Sequence, residues 1–97
     1  MGRVVAVAAE RWTVLEILKR SAEWLGRRGL ETPRLDAELL VAHALGLSRL
    51  DLYLAFERPV SDAERERVRA LLRERARGVP VAYLVGEREF WSLAFAV

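Results

Sequence analysis

Three patterns in this sequence resemble reaction chemistry: a histidine with an acid on its own side of a helix, two pairs of carboxylates, and a ladder of arginines. The one histidine, His43, lies in an apolar run, with Asp36 nearly two turns earlier. A base with an orienting carboxylate still needs an activated nucleophile within hydrogen-bond reach. Ser21, Ser48, Ser61 and Ser92 all have structural explanations, and no G-x-S-x-G elbow is present. His43 is therefore expected to be a core histidine bonded to a neighbouring carboxylate or carbonyl. Asp36/Glu38 and Glu64/Glu66 each lie two residues apart, on different helix faces, and most read as first-turn partners of a helix dipole. No glycine-rich loop follows a strand, so neither a P-loop nor a dinucleotide fingerprint is present. The absence of cysteine excludes thiolate sites, and a single imidazole excludes a multi-histidine zinc site. No catalytic, cofactor-binding or metal-binding residue is assigned.

The arginine ladder is the remaining candidate. Arg65, Arg69, Arg73 and Arg77 stand at i, i+4 spacing along one ridge. Such a ridge can grip an acidic protein surface or a nucleic acid. It also reads as a solvated face, because acids gather at that helix's start and arginines at its end, as the macrodipole prefers. The solvated face is the stronger reading, with a partner-binding ridge as the alternative. Nucleic acid is the less favoured partner, since stacking aromatics are not interleaved along the ridge. Trp12, Trp24 and Trp91 read as core or domain-joint residues.

Ninety-seven residues suit one small domain, not two full cores. With 53% hydrophobic and 31% charged residues the chain is globular. Sixteen basic against fourteen acidic residues give +2, too balanced to imply nucleic acid or an anionic membrane. Only Lys19 among the basic residues is lysine, and Asn and Gln are absent. Loss of thermolabile side chains fits a thermophile, and a GC-rich genome also favours arginine. No run approaches the ~20 apolar residues of a membrane span. The run Val4 to Ala9 is too short for a signal peptide, so the expected location is cytoplasmic.

The elements that must position these residues are punctuated by their caps. Thr13 with Glu16 forms a capping box. The helix behind it gathers Val14, Leu15, Ile17, Leu18, Ser21, Ala22, Trp24 and Leu25 on one arc, and Gly29 ends it. Thr32-Pro33 opens a second helix, with Thr32 as cap and Pro33 in the first turn. Its Leu39 to Leu45 stretch is apolar on every side, which marks a central helix, and Gly46 closes it. After Ser48 the pattern fits both a strand (Leu50, Leu52, Leu54, Phe56) and a helix (Leu50, Tyr53, Leu54). The explicit cap favours a short helix. Ser61 with Glu64 is a second capping box, starting a helix to about Arg77 with Val68, Leu71, Leu72 and Ala76 as its buried stripe. Pro80 then permits a helical turn, Val81 to Leu84, ending at Gly86.

From Glu87 to Val97 the period becomes two, with Trp91, Leu93, Phe95 and Val97 on one side, as in a strand. A lone apolar strand leaves backbone unpaired, so the expectation is a helical domain plus the first strand of something larger. The fold class is all-α: a bundle of about five helices followed by one C-terminal β-strand.

Several stretches together resemble a known family. Val14 to Leu18 with Ala22, then Pro33-Arg-Leu-Asp-Ala-Glu-Leu-Leu-Val-Ala-His43-Ala-Leu-Gly46 with Arg49, are similar to the opening domain of the release factor glutamine methyltransferases (HemK/PrmC). Pro80-Val-Ala-Tyr83-Leu-Val-Gly86-Glu-Arg-Glu-Phe90-Trp-Ser resembles that family's hinge into a hairpin. The resemblance covers about residues 13 to 97. It implies residues 1–12 as an N-terminal extension, 13–85 as a helical substrate-recognition domain, and 86–97 as the first strand of a linking hairpin. It also implies a class I peptide-chain release factor as partner, methylated on the glutamine of its Gly-Gly-Gln motif with S-adenosylmethionine as donor. The family's glycine-rich cofactor loop and Asn-Pro-Pro-Tyr motif belong to a catalytic domain that this sequence does not contain, so no cofactor is expected in this chain and no methyl transfer by it alone. The alternatives are a free-standing nucleic-acid-binding module and a helical protein adaptor.

Overall fold

The computed structural model of the protein describes residues 12–86, which form five helices and an isolated antiparallel bridge between Thr13 and Pro59. The helices are α1 (Val14–Arg27), α2 (Pro33–Leu45), α3 (Arg49–Leu54), α4 (Asp62–Ala76) and α5 (Val81–Val85). This is the all-α bundle that the sequence predicts. The expected strand beyond Gly86, with Trp91, lies outside the described residues, as do residues 1–11 of the expected extension.

Each helix start follows from its cap. At α1 the Thr13 hydroxyl accepts the Glu16 N–H at 3.2 Å, and the Glu16 carboxylate accepts the Thr13 N–H at 3.0 Å. Two further orphan donors at this end find carbonyls far along the chain: Val14 N–H bonds to Arg58 (2.9 Å) and Leu15 N–H to Phe56 (3.1 Å). The α4 box closes likewise between Ser61 and Glu64, and Arg58 adds a fork onto the Glu64 carboxylate, 2.8 Å at its shorter arm. Ser48 caps α3 through the Asp51 N–H. Gly29, at φ 84°, sits past the end of α1 where a left-handed residue is required; Leu30 then folds back, its N–H on the Leu25 carbonyl, to pack on the core.

Thr32 departs from expectation. Its side chain makes no cap bond; the hydroxyl donates instead to Asp36 Oδ1 at 3.1 Å. Pro33 still starts the helix, its missing N–H costing nothing there.

Helix α2 is the central element, in contact with all four others. Val41, Ala42 and Leu45 pack with Val14, Leu18 and Leu25 of α1 in the main core, which Leu52, Val60 and Val68 complete. Leu39 and Leu40 form a second cluster with Val81 and Val85 of α5. Besides Arg34 in the first turn, the exposed part of α2 is a stripe at i, i+4, i+8: Leu35 is 37% exposed, Leu39 marginal, and His43 exposed. His43 is therefore not the core histidine expected. Helix α3 buries only Leu52, leaving Leu50 and Leu54 in solvent. In α4, Val68 is buried and Leu71 and Leu72 half-buried, whereas Ala76, expected in the stripe, is exposed.

This packing sets an order of costs. Leu40, fully buried, lies between α2 and α5; Leu40→Ala is expected to cost about 2–5 kcal/mol. Ser61→Ala is expected to cost about 1 kcal/mol through the lost cap, and Leu54→Ala less than about 0.5 kcal/mol. Urea midpoints at constant slope measure all three.

Candidate binding groove

The carboxylates that the sequence offered for acid–base work are structural. Glu38 and Asp36, only 2% and 5% exposed, are turned inward and not merely aligned with the helix dipole. Glu38 accepts three bonds: Tyr53 Oη on Oε2 (2.7 Å), Arg34 Nε on Oε2 (2.8 Å) and Arg49 Nε on Oε1 (2.8 Å). The bonds from Tyr53 and Arg49 tie α3 to the first turns of α2. Asp36 accepts from Arg75 Nε of α4 at 3.0 Å and from Thr32, so both its oxygens are engaged away from His43. The base–carboxylate pairing that the sequence disfavours is not formed. Arg67 donates to the Ala44 carbonyl at 2.9 Å, a second clamp between α4 and α2. Among the described residues every buried side-chain N or O has a hydrogen-bond partner, and no cluster of three or more His, Asp or Glu stands ready for a metal.

Burial pushes the Glu38 carboxyl upward, but the bonds from Tyr53, Arg34 and Arg49 outweigh it and hold the group below the usual carboxylate range. Glu64 is lowered chiefly by Arg58.

The arginine ladder divides. Helices α1 and α4 touch sparsely, and a groove of about 620 Å³ opens between them. Its floor is apolar, from Ile17, Val68 and Leu72, and Trp12 and Trp24 also line it. Its cationic residues are Arg20 from α1 and Arg65, Arg69 and Arg73 from α4. Arg77 does not line the groove; it is paired with Glu74 at 3.3 Å. Arg69 is paired with Glu66 at 2.7 Å, with both side chains more than half exposed, a weak link in water. Among the described residues the groove lining includes no acidic residue.

Along the chain Trp12 and Trp24 stand apart from the arginine ridge, but the fold brings them to it. Trp12 and Trp24 share the groove with the arginines, so guanidinium and aromatic groups are interleaved in space though not along the chain. Each ring already carries a cation: Arg20 lies 4.4 Å over Trp12, and Arg28 lies 3.8 Å over Trp24. Trp12, expected in the extension, is built into the fold, its carbonyl accepting the Val60 N–H at 2.7 Å. A helical spacing on α1 (Ile17, Arg20, Ser21, Trp24) facing one on α4 (Arg65, Val68, Arg69, Leu72) is the signal that would have joined them.

The described residues thus form a small helical bundle with its two buried acids held in ion pairs and a basic, apolar-floored groove between α1 and α4. The chain belongs to the PrmC N-terminal domain family, whose model matches residues 16–86. It is similar to the release factor glutamine methyltransferases of Rhodopirellula baltica (44% identical over 86 residues, 89% of this chain) and Chlorobaculum tepidum (46%, also 89%). The corresponding protein of Geobacter sulfurreducens is 38% identical over 91% of the chain. The chain spans only 29% to 31% of the length of these relatives. No solved structure matches it. Among the described residues no helix is long and apolar enough to cross a membrane.

A pH dependence follows from Glu38. Its folded value is depressed, so its stabilisation is complete above the ordinary glutamate value of about 4.3 and is lost as pH falls through the lower folded value. Glu38→Gln is expected to lower stability at neutral pH by about 2 kcal/mol. It is also expected to flatten the acid limb below the ordinary glutamate value. Urea titrations of both proteins across that range measure it.

Proposed function

We propose that this chain is the substrate-recognition domain of a protein-glutamine methyltransferase. It holds a class I peptide-chain release factor so that the glutamine of the Gly-Gly-Gln motif reaches a methyl donor bound elsewhere. The observation that carries this reading is the family match over residues 16–86, in relatives named for release factor methylation. The groove supports it by supplying a surface suited to a macromolecular partner, where the edge of the main core at Ile17, Val68 and Leu72 opens between α1 and α4. Holding a flexible loop near its reaction partner replaces an encounter between free molecules, and such positioning is worth several kcal/mol of barrier.

S-adenosylmethionine does not fit the groove described here. Its sulfonium and ammonium outnumber its one carboxylate, and among the described residues the groove presents guanidinium groups without a carboxylate to meet them. The chain's contribution is to bind and orient, with no reaction step of its own.

Calorimetric titration of the 97-residue chain with a class I release factor is expected to show saturable binding, whether or not S-adenosylmethionine is present. The same titration with S-adenosylmethionine alone is expected to show none. A release factor that gives no heat and no change in sedimentation at concentrations where the chain is monomeric removes this reading.

A further inference from the structure

We infer that the groove between α1 and α4 receives an acidic amphipathic helix of the protein partner, its apolar face on Ile17, Val68 and Leu72 and its carboxylates on Arg20, Arg69 and Arg73. This deepens the recognition reading above and rests on it for the partner being a protein.

The dimensions favour a helix. The α1 lining residues run from Ile17 to Trp24 and those of α4 from Arg65 to Arg73. At 1.5 Å per residue these are walls of roughly 10–12 Å, about two helical turns. Two helices that touch sparsely, with an apolar floor between them, make the kind of groove into which an amphipathic helix lays its apolar stripe.

The charge selects an acidic occupant. In a chain with nearly balanced charge, Arg20, Arg69 and Arg73 converge on one groove, and among the described residues no carboxylate lines it. Arg69 and Arg73 are exposed, and the Glu66 that pairs with Arg69 is solvated, so an incoming carboxylate displaces little. Arg20 is held over the Trp12 ring, which pre-orients its guanidinium at the rim and lowers the ordering cost of a salt bridge. Bidentate guanidinium–carboxylate pairs then fix the register of the bound segment.

A nucleic acid makes poorer use of the same surface. Arg20 and Arg28 already lie against the Trp12 and Trp24 rings where a base would stack, and the aliphatic floor offers a phosphate backbone nothing.

The test titrates the 15N-labelled chain with three probes: a peptide of about 16 residues with leucines at i, i+3, i+4, i+7 and glutamates elsewhere, the same peptide with lysine for glutamate, and a single-stranded RNA of about a dozen nucleotides. The glutamate peptide is expected to move the indole N–H signals of Trp12 and Trp24, and the lysine peptide to leave them in place. Arg69→Glu with Arg73→Glu is expected to weaken the glutamate peptide at least about tenfold, and Arg77→Glu, on the same ridge outside the groove, less than about twofold. Far-UV circular dichroism checks folding, and Arg20→Glu replaces the double variant if that unfolds. Equal binding of the two peptides, tighter binding of the RNA, or indifference to the charge reversals overturns the inference.

The release factor itself separates the two claims. If it binds the wild-type and the double variant alike, the groove assignment falls and the recognition reading stands. If it fails to bind while the glutamate peptide behaves as expected, the groove stands and the recognition reading falls.

Discussion

The constraint on which this fold depends is that α2 has neighbours on nearly every side and yet carries two carboxylates in its first turns. A buried charge without partners costs several kcal/mol, so each must be met inside the protein. Glu38 is met by Arg34, Arg49 and Tyr53, and Asp36 by Arg75 and Thr32. These bonds set where the other elements lie. Tyr53 and Arg49 bring α3 against the start of α2, and Arg75 brings the end of α4 to the same helix. Replacing either acid with an apolar residue would spare its burial cost but would leave α3 or α4 without its directional tie.

The same arrangement separates structure from recognition. Helix α4 uses Arg67 and Arg75 to clamp α2, and Arg65, Arg69 and Arg73 to line the groove. Two sets of arginines on one helix thus do different work because they point about a quarter-turn or more apart. The first set spends its charge on a buried acid and a helix-end carbonyl. The second faces outward beside an apolar floor, a combination that suits binding better than packing.

Local signals were the legible part of the sequence. Caps at Thr13, Ser48 and Ser61, the stops at Gly29 and Gly46, and the apolar sweep of α2 predict five helices, because each depends on residues within a few positions of one another. The resemblance carried by residues 33–49 located the family. What local reasoning missed are meetings between distant residues. Asp36 and Glu38 look like dipole partners until Arg75 and Tyr53 arrive from positions 39 and 15 residues away. His43 sits in an apolar run yet faces outward, because a helix can be packed on most sides and still leave a stripe one residue wide. The groove is of this kind too: half of it lies on α1, half on α4, and spacing along either helix alone shows only a ridge or an amphipathic face.

One earlier detail bears on how the molecule assembles. The first turn of α1 hangs from carbonyls at Phe56 and Arg58, and the Trp12 carbonyl takes the Val60 amide. The front of the earliest described helix is thus completed by a loop synthesised more than forty residues later. During translation water must serve those amides until that loop has left the ribosome, so the first turn of α1 is completed only once the chain has grown past α3 to Val60, ahead of α4 and α5.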